Sequence, residues 1–422
     1  MIRLIEALNY RCLRYVRQPL DPFHVLVGPN ASGKTTFLDV PAFLGDLLKY
    51  GLDKAISERS ASIEEIFFNN QGDRFELAVE MEPPVERAGL LPRHPKFVRY
   101  EISIGKAPTG EYHIFDEQVI LQDALPAPTD EPRQCTLFPS PMQPPNTIMH
   151  ATRVGAGQKR TVRKNYEKND NFYSEMEHRK GKGGWAPSIR LGPRKSALAG
   201  MPEDQLRFPV SSWLRTMLMD GTQKVMLDSL ALRRSSAPGQ SLLYNPQGSN
   251  LPWVIQHLYK TNPARLNSWI KHIRTALPDI TGVTTVELPD TRHRFLQIVY
   301  KGGLKVPSWT ASDGTLRMLA LTLPAFLPGF TGTYLIEEPE NGIHPMAMEA
   351  VFQALRSAYG AQILLATHSP TILGCAELDQ VLCFKKEASG ATDIVRGSEH
   401  PALRAWQGSV PLPTLYASGV LG

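Results

Sequence analysis

The stretch FHVLVGPNASGKT, residues 23–35, constrains this chain more than any other. A buried-strand pattern runs into a loop with Gly28 and Gly33, then Lys34 and Thr35. A helical pattern, TTFLDVPAFLGDLL, follows directly. Every fixed position of G-x-x-x-x-G-K-[ST] is met, in the required strand-loop-helix setting. The two glycines let the loop Pro29, Asn30, Ala31 and Ser32 close around a phosphate. Its successive backbone N–H groups, with a helix N-terminus behind them, form an anion site. Lys34 is placed to reach the β- and γ-phosphates and Thr35 to hold Mg²⁺, with Thr36 beside them at the helix start.

A second stretch, YLIEEPENGIHP (residues 334–345), ends an apolar strand in crowded carboxylates. Such crowding is unfavourable unless a cation is near. Glu337, the first acid, is the candidate metal ligand, and Glu338 the candidate for orienting an attacking water. Glu340 reads as a brace for the Asn-Gly turn that follows. A lone acidic pair at a strand end also fits a solvated turn, and the phosphate loop is what favours the hydrolytic reading.

The bulk properties exclude several classes. The chain has 422 residues, a net charge of +5 and four widely separated cysteines with no CxxC pair. That argues against a disulfide framework or a zinc site and suits a cytoplasmic protein. No run of eighteen apolar residues appears, so no membrane span is expected. Residues 151–200 hold twelve Lys or Arg against four Asp or Glu, so the rest of the chain is slightly acidic. This basic segment, around Lys159–Lys168 and Arg179–Lys195 with Tyr166, Tyr173 and Trp185, fits a DNA surface or a solvated loop.

Strand and helix patterns alternate at both ends of the chain, which indicates a mostly parallel sheet covered by helices. IEEIFFNN, DRFELAVEM and VRYEISI read as strands, and the basic segment as a surface insertion of mixed helix and loop. We divide the chain into residues 1–120, half of an α/β nucleotide-binding head; 121–203, a proline-rich and basic insertion; 204–285, a helical lobe; and 286–422, the other half of the head.

With these motifs in place, the chain resembles the ABC-type AAA family ATPases of the RecF/SMC/Rad50-head and OLD-like group. It is most similar to the stand-alone bacterial ATPases of that group, which lack a Toprim nuclease domain. The resemblance covers roughly residues 1–50 and 205 onward, and it implies a P-loop NTPase fold of ABC-head type. In that fold a mostly parallel sheet carries an N-terminal antiparallel strand region and an inserted helical lobe. WTASDGTLRMLAL (residues 309–321) resembles the signature segment, with Ser312, Asp313, Gly314 and Thr315 at its core. The resemblance implies that Ser312, Gly314 and Thr315 contact ATP held by a second head, in a homodimer or higher homo-oligomer. Ser312 or Thr315 alone would be an ordinary helix cap. LLATHSP (residues 364–370) places His368 where the family has its switch histidine, and ENGIHP, with His344, resembles the loop that crosses the dimer interface. LNYRCLRY puts Arg11 at the family's arginine position, where it fits a phosphate or base contact or a surface arginine. Gln71 fits either the glutamine loop or an ordinary turn.

The resemblance thus implies an ATPase using ATP and Mg²⁺, with Glu338, His368 and Lys34 as the catalytic set. The cycle would be coupled to DNA or to a separately encoded nuclease or toxin effector, in anti-phage defence or DNA repair. The alternatives are a slow nucleotide-dependent scaffold restraining such a partner, and a transporter ATPase subunit.

Overall fold

The computed structural model describes residues 1–92, 94–124, 142–151, 153–176, 188–358, 360–404 and 411–419. Trp185, Arg179 and the rest of 177–187 therefore lie outside the described residues.

Among the described residues, seventeen strands form three sheets. The largest takes β1 (Ile2–Tyr10), β2 (Leu13–Pro19), β4 (Arg74–Met81), β5 (Phe97–Lys106), β6 (Tyr112–Gln122), β7 (Gln158–Asn165), β8 (Asp170–Phe172) and β9 (Ser188–Ile189). It is antiparallel throughout, in the order β2-β1-β4-β5-β6-β7-β8-β9. The second takes β3 (Phe23–Val27), β10 (Thr222–Val225), β14 (Thr333–Glu337), β15 (Gln362–Ala366), β16 (Val381–Lys386) and β17 (Thr392–Arg396). Its order is β10-β14-β15-β3-β16-β17, parallel except for the last pair. The third is the antiparallel set β11 (Ile280–Glu287), β12 (Arg294–Tyr300) and β13 (Lys305–Pro307).

The parallel sheet is buried on both faces, as strands covered on each side must be. Leu26, Leu335, Leu364 and Leu382 pack towards the helix Lys34–Tyr50 and the eight-stranded sheet. Val25, Val27, Ile336, Ile363 and Leu365 pack on the other side, with apolar residues of the helices Leu251–Thr261, Pro263–Ala276, Asp313–Thr322 and Pro345–Arg356. Buried His24 interrupts β3. It accepts from the Asp21 N–H through Nε2 (2.8 Å) and donates through Nδ1 to Gln380 O (3.1 Å), so the neutral ring is fully satisfied. Burial pushes its pKa down to about 4.

Two local readings are corrected. IEEIFFNN forms two short 3-10 turns, Ile63–Ile66 and Phe68–Asn70, with Asn69 at φ 53° breaking any extended run. The basic segment is not mixed helix and loop where it is described: β7 extends the large sheet beside β6. Lys164 is buried there because its ammonium meets buried Asp170 at 2.8 Å.

One face of the large sheet is polar yet covered. Buried Arg99 donates to Glu101 (2.7 Å), Glu80 (3.0 Å) and Glu6 (2.8 Å), and also to the backbone of Ile148 (3.0 Å). Residues 147–150 are stitched down by Glu76, which accepts from Thr147 and the Ile148 N–H. Glu101 accepts from the His150 N–H in the same way.

Candidate active site

Three neighbouring strands end in line. Glu337 of β14 pairs with Ala366 of β15, and Ala366 pairs with Leu26 of β3. The loops that leave these ends are therefore gathered at the carboxyl edge of the parallel sheet, where ligands of open α/β folds bind. Backbone bonds hold the alignment: the Glu338 N–H donates to Ala366 O (2.8 Å) and the Thr367 N–H to Leu26 O (3.1 Å).

The loop after β3 has the strained backbone its glycines allow. Gly33 sits at φ 100°, and a Cβ there would lie 2.1 Å from Thr392 Oγ1. Gly28 presses equally closely on Phe384 O, at 2.3 Å from a hypothetical Cβ. Ala31, at φ 60°, completes the curl. Lys34 Nζ lies over this loop, donating to Gly28 O (2.8 Å) and Pro29 O (2.9 Å). Burial lowers its pKa, and Glu338, Glu337 and Glu340 oppose that shift. Ser32 Oγ is buried with no hydrogen-bond partner among the described residues.

Thr35 Oγ1 donates to Glu337 Oε2 at 2.7 Å. A threonine hydroxyl and a carboxylate beside a phosphate loop make a hard-oxygen donor set, which suits Mg²⁺. Lys224, on edge strand β10, brings Nζ to 2.7 Å from Glu337 Oε1, close enough for an ion pair but not aligned as a hydrogen bond. Glu338 has φ 45°, a conformation that costs a non-glycine residue about 1–3 kcal/mol. Its carboxylate accepts from Asn341 Nδ2 at 2.7 Å.

Glu340 does more than brace its own turn. Oε1 accepts from Thr367 Oγ1 (2.8 Å) and from the His368 N–H (2.7 Å), tying the β14 and β15 loops together. Its Oε2 is buried with no hydrogen-bond partner among the described residues. His368 Nδ1 lies 3.1 Å from the Tyr416 hydroxyl, which lies 3.1 Å from Gly28 O. Burial, then Lys34, lowers the His368 pKa.

Ser312 is the N-cap of the helix Asp313–Thr322, accepting from the Thr315 N–H at 3.2 Å and meeting Thr315 Oγ1 at 2.7 Å. Gly314 abuts the turn after β14: a Cβ there would sit 2.6 Å from Gly342 O. His344 caps the helix Pro345–Arg356.

The family described as "AAA domain, putative AbiEii toxin, Type IV TA system" matches residues 23–104 and 217–374, more than half of the chain and all of these strand ends. The chain belongs to this family. This AAA-domain protein is also similar to a protein named OLD nuclease from Thermus scotoductus, at 23% identity over 92% of the chain. It spans 62% of that protein's length. Its fold is that of SMC heads. A solved SMC head bound to the C-winged helix domain of ScpA superposes with TM-score 0.53 at 14% identity, covering 93% of this chain and 97% of that one. An SMC head from Pyrococcus furiosus with an extended coiled coil, bound to the C-terminal domain of ScpA, gives 0.50 at 11%, covering 93% and 95%.

In this AAA-domain protein the structure gathers Gly28–Thr35, Glu337, Glu338, Glu340 and His368. Thr36 stands at the edge of the group, where its hydroxyl accepts from Cys12 Sγ at 3.3 Å. Arg11, at φ 52°, points its guanidinium elsewhere, donating to Arg59 O (3.1 Å) and lying 4.0 Å from Asp39. Among the described residues, no hydrogen bond or ion pair joins Ser312, Gly314 or Thr315 to the phosphate loop. Gln71 is exposed at the end of the second 3-10 turn. Lys224 and Tyr416 were missed. A single lysine in TQKV and a tyrosine in LPTLYA carry no spacing signal that could have found them.

Proposed function

We propose that this chain binds ATP with Mg²⁺ and hydrolyses it, and that two copies close head to head around the nucleotides. The observation that carries the reading is the Thr35–Glu337 contact beside the Lys34 loop, with Glu338 next in sequence. The loop Pro29–Ser32, closed by Gly28 and Gly33, cradles the phosphates, while Lys34 turns from its own carbonyls to them. Thr35 and Glu337 would hold the metal, which would supply positive charge to the phosphates. Glu338 draws the attacking water into line, and its strained backbone fixes the direction of its carboxylate. His368 adds a polar contact to that water.

Ser312, Gly314 and Thr315 contact the nucleotide of the other head in this reading. The surface around them supports a homodimer. Trp309, Leu230 and Met346 are 51%, 62% and 83% exposed near the signature helix and the adjoining turn. These side chains are available to pack against a second head.

The cycle serves DNA or a separately encoded nuclease or toxin. For DNA, the contact proposed is with phosphate rather than by base stacking. Tyr166 already stacks on Phe115 (4.8 Å) and His113 (5.6 Å) of its own chain. Lys168, Arg190 and Lys195 are exposed. Lys168 and Arg190 line a cavity of about 150 Å³ with His113, Lys164 and Tyr166.

The test is ATP turnover and mass in solution, with and without Mg²⁺. Mg²⁺-dependent hydrolysis and an ATP-dependent dimer are expected. A chain that forms an ATP-dependent oligomer but turns ATP over slowly or not at all supports the scaffold reading instead. Replacing Lys168, Arg190 and Lys195 with glutamine is expected to reduce the salt dependence of DNA binding, and an unchanged salt slope removes this patch from the proposal.

A further inference from the structure

The helix Leu412–Ala417 brings one polar group to the site, the Tyr416 hydroxyl. Leu412 is buried, and Pro413 abuts Gly374, where a Cβ would come within 3.3 Å of it. The helix is thereby seated on Pro370–Cys375, the helix that follows His368.

The hydrogen-bond inventory at this contact is restrictive. Gly28 O can only accept, and it takes bonds from Lys34 Nζ (2.8 Å) and Tyr416 Oη (3.1 Å). The tyrosine has one hydroxyl proton, and the contact with Gly28 uses it. His368 Nδ1, 3.1 Å from the same oxygen, must then supply its own proton. A neutral imidazole carries one N–H, so Nε2 is left with a bare lone pair. Among the described residues no hydrogen bond reaches Nε2. Burial and the nearby Lys34 ammonium lower its pKa, against Glu338 and Glu340, which favours the neutral ring.

We propose that Tyr416 is a positioning residue that holds His368 as the Nδ1–H tautomer, so that Nε2 faces the attacking water as an acceptor. A phosphate oxygen is itself an acceptor and cannot share a hydrogen bond with a bare Nε2, whereas water can donate one. His368 then orients water while Glu338 remains the proton acceptor, and the C-terminal helix fixes the histidine's polarity. The water contact rests on the hydrolytic reading above; the tautomer does not.

The experiment is nitrogen-15 NMR of the histidine rings in the full chain at neutral pH. His368→Gln identifies the resonance among the 11 histidines. The unsubstituted protein is expected to give the shift pattern of Nδ1–H with unprotonated Nε2. Tyr416→Phe keeps the ring and removes the hydroxyl, and it is expected to move His368 towards the Nε2–H form. It should also lower kcat about tenfold while KM for ATP stays within about twofold. An Nε2–H signature in the unsubstituted protein overturns the proposal without any variant. So does a tautomer unchanged by Tyr416→Phe. The Nδ1–H signature in a chain that turns over no ATP overturns the water contact and the hydrolytic reading together, and supports the tautomer assignment.

Discussion

Thr35 Oγ1 donates to Glu337 Oε2 at 2.7 Å, joining side chains 302 positions apart in the chain. Strand order produces the contact: β3 and β14 flank β15, and all three end at one level. On the proposed assignment, Thr35→Ala removes one hard-oxygen ligand, and Glu337→Gln removes the negative charge of the other. Either is expected to raise the Mg²⁺ concentration for half-maximal turnover at least tenfold, with kcat/KM about 100-fold lower, or roughly 2.7 kcal/mol. Titrating Mg²⁺ at fixed ATP measures it, and wild-type Mg²⁺ dependence in both variants removes the assignment.

Glu338→Gln keeps the size of the side chain and removes its negative charge. Turnover is expected to fall by about 100-fold or more, while ATP binding stays within a few-fold. Light scattering should then find a persistent ATP-bound dimer. Retained turnover would show that another group orients the water.

His24 makes stability depend on pH. Its folded pKa, about 4, lies below the ordinary 6.5, so the unfolded chain binds the extra proton. The stabilisation is complete above about 6.5 and is lost as pH falls towards 4, by up to about 3 kcal/mol. Asp116, raised to about 6 by burial, titrates with the opposite sign in the same window. The test is therefore a difference. Urea unfolding midpoints of parent and His24→Asn should converge as pH drops from 7 to 4.5, and a constant gap contradicts the linkage.

Arg99→Met leaves Glu6, Glu80 and Glu101 on a covered face without their shared cation. Breaking a buried pair this way costs about 3–5 kcal/mol. Chemical denaturation should report that loss, together with faster proteolysis at residues 147–150, which Arg99 and its partners hold down. A variant as stable as the parent would mean the carboxylates take up protons at little cost.

The candidate site was legible because its signal is local. GPNASGKT needs its glycines where φ is 154° and 100°, and TYLIEE ends in its acids one residue after its apolar run. The eight-stranded sheet was much less legible. QKRTVRKN reads as a charged loop, because what makes it a strand is the pairing of Lys164 with Asp170 and of β7 with β6. DRFELAVEM and VRYEISI were legible as strands, but Glu6, Glu80, Arg99 and Glu101 gave no sign that the charged face of β1, β4 and β5 is covered. Their compensation is mutual and spread over 93 positions, from Glu6 to Arg99. Lys224 and Tyr416 reach the site from an edge strand and a terminal helix, which only the folded topology brings near.

Glu340 gives the site a mechanical property that no single contact describes. Its carboxylate grips the His368 N–H, its own turn runs on to Gly342, and Gly342 O bears against Gly314 at the head of the signature helix. Each link is a short hydrogen bond, a tight turn or a backbone contact, with no long side chain to take up slack. The histidine loop and the helix Asp313–Thr322 of one chain are thus joined through a single turn. In the head-to-head pairing proposed above, the half-site for a nucleotide and the half-site offered to a neighbour would be two arms of one lever.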